Sequence, residues 1–233
     1  MPSNSELAPF TRRDVLRMAV AGGVTLGLGV ASNMGTPRRA QAQSPLTPDD
    51  ALKSLMDGNA RFAAGRLTSF QEDLTLLAQK TAEKQEPFAA VLSCADSRVP
   101  VEILFDQTIG HVFVVRVAGN VATPEIIASL EYGAAVLGTR VLMVLGHSAC
   151  GAVTAAIAGK AVPGQISTLY APLRPAVDQA GPNADSAIRA NARIQASILK
   201  NASPVIAGLV AERKLKVVAA HYDIAKGVVS LLG

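Results

Sequence analysis

Hydrophobic and polar positions along this chain follow two rhythms, and the switch between them outlines an α/β fold. Three short runs, 88–93, 111–117 and 140–146, are apolar at nearly every position and bounded by turn residues. That pattern predicts buried strands of a parallel sheet covered on both faces. Between the second and third runs a helix is expected. Thr123 stands at its cap, Pro124 at its first position, Glu125 in its first turn and Gly138 beyond its end, so the segment reads as a strand–helix–strand unit.

Upstream, Thr47-Pro48-Asp49-Asp50 marks a helix start, with a capping hydroxyl, a proline at the first position and two acids at the positive end of the helix dipole. Leu52, Leu55, Met56 and Phe62 then recur at helical spacing, and a more polar helical stretch covers about 71–84. Downstream, helices are expected near 149–158, 166–177 and 185–200, then one capped by Ser203-Pro204. A closing strand pair is expected at 216–220 and 227–231. The predicted fold is a mostly parallel central sheet flanked by helices. Its organisation is a leader over 1–42, an N-terminal helical arm over 43–86 and a single α/β domain over 87–233.

Composition changes this picture little. Aromatic residues make up 4% of the 233 and Trp is absent, so the core must rest on Val, Leu, Ile and Ala. The net charge of +4 hints at a polyanionic partner, but its location removes the hint. Five arginines and two acids lie in residues 1–42; setting them aside leaves 17 basic and 16 acidic residues. No nucleic-acid partner is expected for the body. The basic leader has its own logic. Arg12-Arg13 precede an apolar, Gly-rich stretch from Met18 to Ala31, and Ala40-Gln41-Ala42 offers a small-x-small cleavage site. The paired arginines resemble a twin-arginine export signal, and the stretch is too short to span a bilayer comfortably. The mature chain is expected to begin near Gln43 and to be exported, most simply to a periplasm, without lasting membrane insertion.

The two cysteines carry the chemistry. Cys94 ends the first predicted strand in Ser93-Cys94-Ala95-Asp96-Ser97-Arg98, and Cys150 follows the third in Gly146-His147-Ser148-Ala149-Cys150-Gly151. Ligands of open parallel sheets collect at the carboxyl ends of strands, so both segments aim at one place. Two thiolates, an imidazole and a carboxylate form a set that zinc favours. Two other readings stay open on spacing alone. The cysteines of an exported protein can pair as a disulfide, although a structural bridge has no need of His147. A cysteine nucleophile activated by His147 would leave the second thiol and the Cys-x-Asp-x-Arg pattern unused.

These segments, Cys94-Ala95-Asp96-Ser97-Arg98-Val99-Pro100 and Gly146-His147-Ser148-Ala149-Cys150-Gly151-Ala152, resemble the two signatures of the β-class carbonic anhydrases. Phe105-Asp106-Gln107, Phe113-Val114-Val115-Arg116, Ala118-Gly119-Asn120 and Ser129-Leu130-Glu131-Tyr132 add to the resemblance, as do Asn59, Phe62, Tyr222-Asp223 and Gly227. It is weakest over 160–203. The resemblance implies one zinc per subunit, on Cys94, His147 and Cys150, with Asp96 as a switchable fourth ligand. It also implies reversible hydration of CO2 to bicarbonate by a zinc-bound hydroxide.

Asp96 and Arg98 are expected to gate that site, with the carboxylate on the guanidinium when open and on zinc when closed. Gln107 and Gly151 are expected on the substrate side, with Gly119 and Gly151 where backbone passes close to the site. His111 and His221 are not needed as ligands, though His221 could carry protons. Some bacterial members hold inhibitory bicarbonate with a Trp, an Arg and a Tyr; Arg116 matches that Arg, but with no Trp the inhibition is expected to be absent or altered. A homodimer or larger homo-oligomer is the expected partner state. Hydrolysis of CS2 or COS on the same site and a non-catalytic zinc- or bicarbonate-binding role are the competing functions.

Overall fold

The computed structural model of this chain describes residues 44–69 and 74–233. The expected leader lies outside the described residues. The elements run α1 (Pro48–Ala63), α2 (Leu74–Thr81), β1 (Ala89–Ser93), the short α3 (Val101–Leu104), β2 (Val112–Arg116), α4 (Pro124–Glu131), β3 (Val141–His147), α5 (Gly151–Ala158), α6 (Tyr170–Ala180), α7 (Ala184–Ala202), α8 (Pro204–Ala211), β4 (Lys216–Asp223) and β5 (Val228–Leu232). The strands form one sheet in the order β2-β1-β3-β4-β5. The first four are mutually parallel, and β5 returns antiparallel to β4 as the expected closing pair.

Alternation along the central strands separates two cores. Val91, Val141, Met143 and Leu145 pack with Leu55 of α1 and with Leu104 and Phe105 at the end of α3. Ala90, Leu92, Leu142 and Val144 pack on the other face with Leu199 of α7 and Ile206 of α8. Within the segment expected as an arm, α1 therefore lies on this chain's own sheet. Thr47 caps it by accepting the Asp50 amide at 3.1 Å. Buried Asn59 donates to the carbonyls of Leu104 and Gly227 and accepts the Val229 amide. A Cβ at Gly58 would stand 1.8 Å from the Phe105 carbonyl oxygen, so only glycine lets α1 settle this close.

Two expectations are corrected. The run 111–117 is not a buried strand: β2 is an edge of the sheet and half-exposed, because β1 lies between it and β3. Thr123 does not cap α4 through its side chain; its hydroxyl donates to the Glu125 carboxylate instead. That helix also continues as a π-helical turn, Tyr132–Val136, before Gly138 turns the chain with φ +76°.

Candidate metal centre

The sheet order places the site. From β1 the chain goes to β2 on one side and later to β3 on the other, so the strand order reverses between β1 and β3. The crevice outside their carboxyl ends is where an open α/β sheet binds ligands. Cys94 follows β1, His147 is the last residue of β3, and Cys150 stands at the N-cap of α5. All three are buried, and their ligand atoms lie within 4.8 Å of one another, the one such cluster among the described residues.

The geometry separates the three readings of the cysteines. Their sulfurs are 4.0 Å apart and both thiols are free, about twice the length of an S–S bond. Two sulfurs on one tetrahedral zinc, each about 2.3 Å from it, would stand about 3.8 Å apart. His147 Nδ1 lies 3.0 Å from the Ser148 carbonyl oxygen, which fixes the proton on Nδ1. Nε2 is then a bare acceptor, buried and without a hydrogen-bond partner. An orphaned imidazole nitrogen beside two paired sulfurs fits a zinc ion. It does not fit a nucleophile–base pair, which would use one sulfur and leave the other idle.

Electrostatics favours charge on sulfur here. The hydrogen bond between the two sulfurs pulls Cys94 far below the ordinary thiol range against the cost of burial. The Gly119 amide, 3.3 Å from Cys94 Sγ, assists. Cys150 is pushed up in turn by the same bond and by burial, although the amides of Ala152 and Val153 at the start of α5 oppose this.

Asp96 is off the cluster. Arg98 Nε donates to Oδ1 at 3.0 Å and Nη2 to Oδ2 at 2.7 Å, and the Arg98 amide adds a third bond to Oδ1 at 2.9 Å. The fork, opposed by some burial, holds this carboxyl well below the usual range. Oδ2 is 3.8 Å from His147 Nε2, so the carboxylate stands beside the ligand atoms while bound to the guanidinium. Arg98 also donates to the carbonyl of Ala149, whose φ of +54° turns that oxygen towards it.

The remaining expected residues differ in what they touch. Gln107 donates its amide to the Phe105 carbonyl at 2.9 Å, beside Gly58 of α1. Gly151 is not required for close approach, since a Cβ there would meet nothing within 4 Å. Gly119 is required: its φ is +77° and a Cβ would press on Leu173 at 3.2 Å. His111 lies beside the Phe88 ring, and His221 places Nε2 3.3 Å from Asp185 Oδ1; neither joins the cluster. Arg116 has a role that motif reading missed. Its guanidinium donates to the carbonyls of Cys94 and Asp96, which holds the ligand loop against β2. A lone arginine closing an apolar strand was the available signal.

Comparison with known proteins agrees with this geometry. The carbonic anhydrase family profile matches residues 89–229. Carbonic anhydrase 2 of Mycobacterium tuberculosis is 46% identical over 111 residues, 48% of this chain and 53% of the relative. The chain thus spans about half the length of the mycobacterial relatives it matches. The carbonic anhydrase of Pseudomonas aeruginosa is 30% identical over 197 residues, 78% of this chain and 87% of the relative. Among solved structures, a tetrameric β-carbonic anhydrase of Sordaria macrospora superposes with TM-score 0.63 at 27% identity, covering 79% of this chain and 98% of that one. The Coccomyxa enzyme, solved with acetazolamide, gives 0.62 at 27% identity over 78% and 86%. With two sulfurs and an imidazole converging at the strand-order reversal, an aspartate forked by arginine beside them, and sequence and fold matches over most of the described chain, this protein belongs to the β-class carbonic anhydrase family.

Proposed function

We propose that this chain catalyses the reversible hydration of CO2 to bicarbonate and a proton, with one zinc held by Cys94, His147 and Cys150. The observation that carries the reading is the pairing of the buried cluster with a carboxylate held 3.8 Å from His147 Nε2 by the Arg98 fork. A structural zinc site closes with a fourth Cys or His; here the group beside the cluster is an acid engaged elsewhere.

Zinc bound there supplies Lewis acidity, which lowers the pKa of water to about 7 in favourable sites. The chain's own residues do the rest. Asp96 stays ionised at neutral pH because Arg98 satisfies it, so it is an acceptor and can orient a water proton beside the cluster. Arg98 holds that acid off the ligand set and anchors itself on Ala149. Arg116 holds the carbonyls that flank Asp96, which keeps the acid and Cys94 in one frame.

The test is stopped-flow CO2 hydration by the zinc-loaded protein beside Cys94→Ser. Zinc content near one per chain and turnover that both collapse in the variant are expected. Hydrolysis of CS2 without CO2 hydration, or zinc binding without any turnover, would overturn the reading.

The expected homo-oligomer has support in the half-exposed apolar β2 edge with exposed Tyr132, whose ring lies 6.2 Å from that of Phe113, since unpaired apolar edges invite pairing. Sedimentation as a monomer at micromolar concentration would contradict it. Export remains the reading of the Arg12-Arg13 leader; a mature N-terminus near Gln43 on protein recovered outside the cytoplasm is the expected observation.

A further inference from the structure

The sulfur of Cys94 receives a backbone hydrogen bond from the Gly119 amide at 3.3 Å. That amide lies in the loop after β2, and its aim depends on what holds the loop. The peptide joining Gly119 to Asn120 is held at both ends. The Asn120 N–H donates to the Val117 carbonyl at 2.9 Å, and the Gly119 carbonyl accepts from Asn191 Nδ2 at 2.8 Å. Three residues on, the Ala122 N–H donates to Gln195 Oε1 at 2.9 Å. Gln195 Nε2 then donates to Asn191 Oδ1 at 3.0 Å and to the Pro172 carbonyl of α6 at 3.1 Å.

Asn191 and Gln195 stand one turn apart on α7, at 1% and 0% exposure. Their orientations follow from chemistry. Ala122 can only donate, so it meets the Gln195 oxygen. The carbonyls of Gly119 and Pro172 can only accept, so they meet the two amide nitrogens. One amide flip would set like against like and leave buried groups unpaired. Two buried amides aligned in a single sense cost stability unless fully satisfied. Neither belongs to a recognised motif, and both fall in the region where the family resemblance is weakest.

We infer that Asn191 and Gln195 are positioning residues for the metal centre: a buried amide relay that locks the 117–122 loop so that the Gly119 N–H is delivered to Cys94 Sγ. The relay acts on the sulfur through the loop and touches no ligand itself. A hydrogen bond to a ligating sulfur withdraws charge from it and fixes its direction, and outer-shell partners of this kind change metal affinity by about 10–100-fold. The inference rests on the zinc reading above.

Competition of the full zinc-loaded protein against a chromophoric chelator, together with the sulfur-to-metal charge-transfer band of the cobalt-substituted protein, tests it. Asn191→Ala should weaken zinc binding by about 10–100-fold and move the band to longer wavelength, because a sulfur relieved of a donor is more easily oxidised. Gln195→Glu, which still accepts from Ala122 but cannot donate to Asn191, should move both readouts the same way by less. Leu199→Ala, a buried change elsewhere on α7, should lower the melting temperature and leave the band in place. A folded Asn191→Ala protein with wild-type affinity and band would overturn the inference, as would the same band shift in Leu199→Ala. If Asn191→Ala does not fold, Gln195→Glu carries the same two outcomes. Failure of the wild-type protein itself to bind zinc would instead sink the function reading.

Discussion

Asp96 and Asp106 are both tied to an arginine, and in both the carboxyl is held well below its usual range, yet they are built for opposite purposes. Asp96 is held locally, by the side chain and amide of Arg98 two residues on, and that guanidinium is half-exposed. Asp106 is fully enclosed. Burial would raise its pKa, but the Ser69 amide, Arg61, and the hydroxyl and amide of Thr68 outweigh it. Those donors come from α1 and the segment after it, so this acid joins distant pieces of chain. A carboxylate with one flexible partner at a solvent edge can exchange that partner for another. One with four donors, two of them backbone amides, cannot move without opening the fold. Similar pairs at different depth thus separate a gate from a clamp.

The largest effect that would break this contrast is on turnover. Asp96→Asn is expected to lower the CO2 hydration rate by about 100-fold or more while the melting temperature stays at the wild-type value. A stable, fully active variant would remove Asp96 from the chemistry. The reciprocal change, Asp106→Asn, should leave the rate per folded molecule unchanged and lower unfolding stability by about 3 kcal/mol, the scale for losing charged hydrogen bonds at a buried site.

The clamp also predicts a pH dependence. Because the folded carboxyl of Asp106 is depressed below its unfolded value of about 3.9, its contribution is complete above that value and is lost as pH falls through it towards the folded pKa. Denaturant melts between about pH 5 and 2 should show wild-type stability falling more steeply than that of Asp106→Asn. Parallel curves would mean that Asp106 is not the clamp. The smallest expected effect is at Gln107, beside it. Gln107→Ala should cost about 1 kcal/mol from one lost hydrogen bond and leave turnover within about twofold. A tenfold loss of rate with stability intact would put Gln107 on the substrate side.

Legibility in the sequence follows the range of the interactions. The cluster was legible because each ligand is marked locally: Cys94 and His147 by the strands they end, Cys150 by its spacing from His147, and Arg98 by its spacing from Asp96. The caps at Thr47 and Ser203 were legible for the same reason, since a hydroxyl and the amide three residues on are neighbours in any helix that starts there. Thr123 shows the limit: the same signal was present, but its hydroxyl is turned to the Glu125 carboxylate and accepts no helix amide.

What the sequence by itself determined is the set of elements, their parallel character and the residues delivered to strand ends, because periods of two and 3.6 residues and short spacings are local properties. The tertiary structure alone decided that β2 is an edge, that Gln107 serves the Phe105 carbonyl, that Asp106 is a clamp, and that Asn191 and Gln195 reach the loop behind Cys94. Each of these depends on which backbone carbonyl or amide stands opposite a side chain after the sheet has closed. Backbone groups are the same at every residue, so their pairing over long separations leaves no mark in the order of side chains.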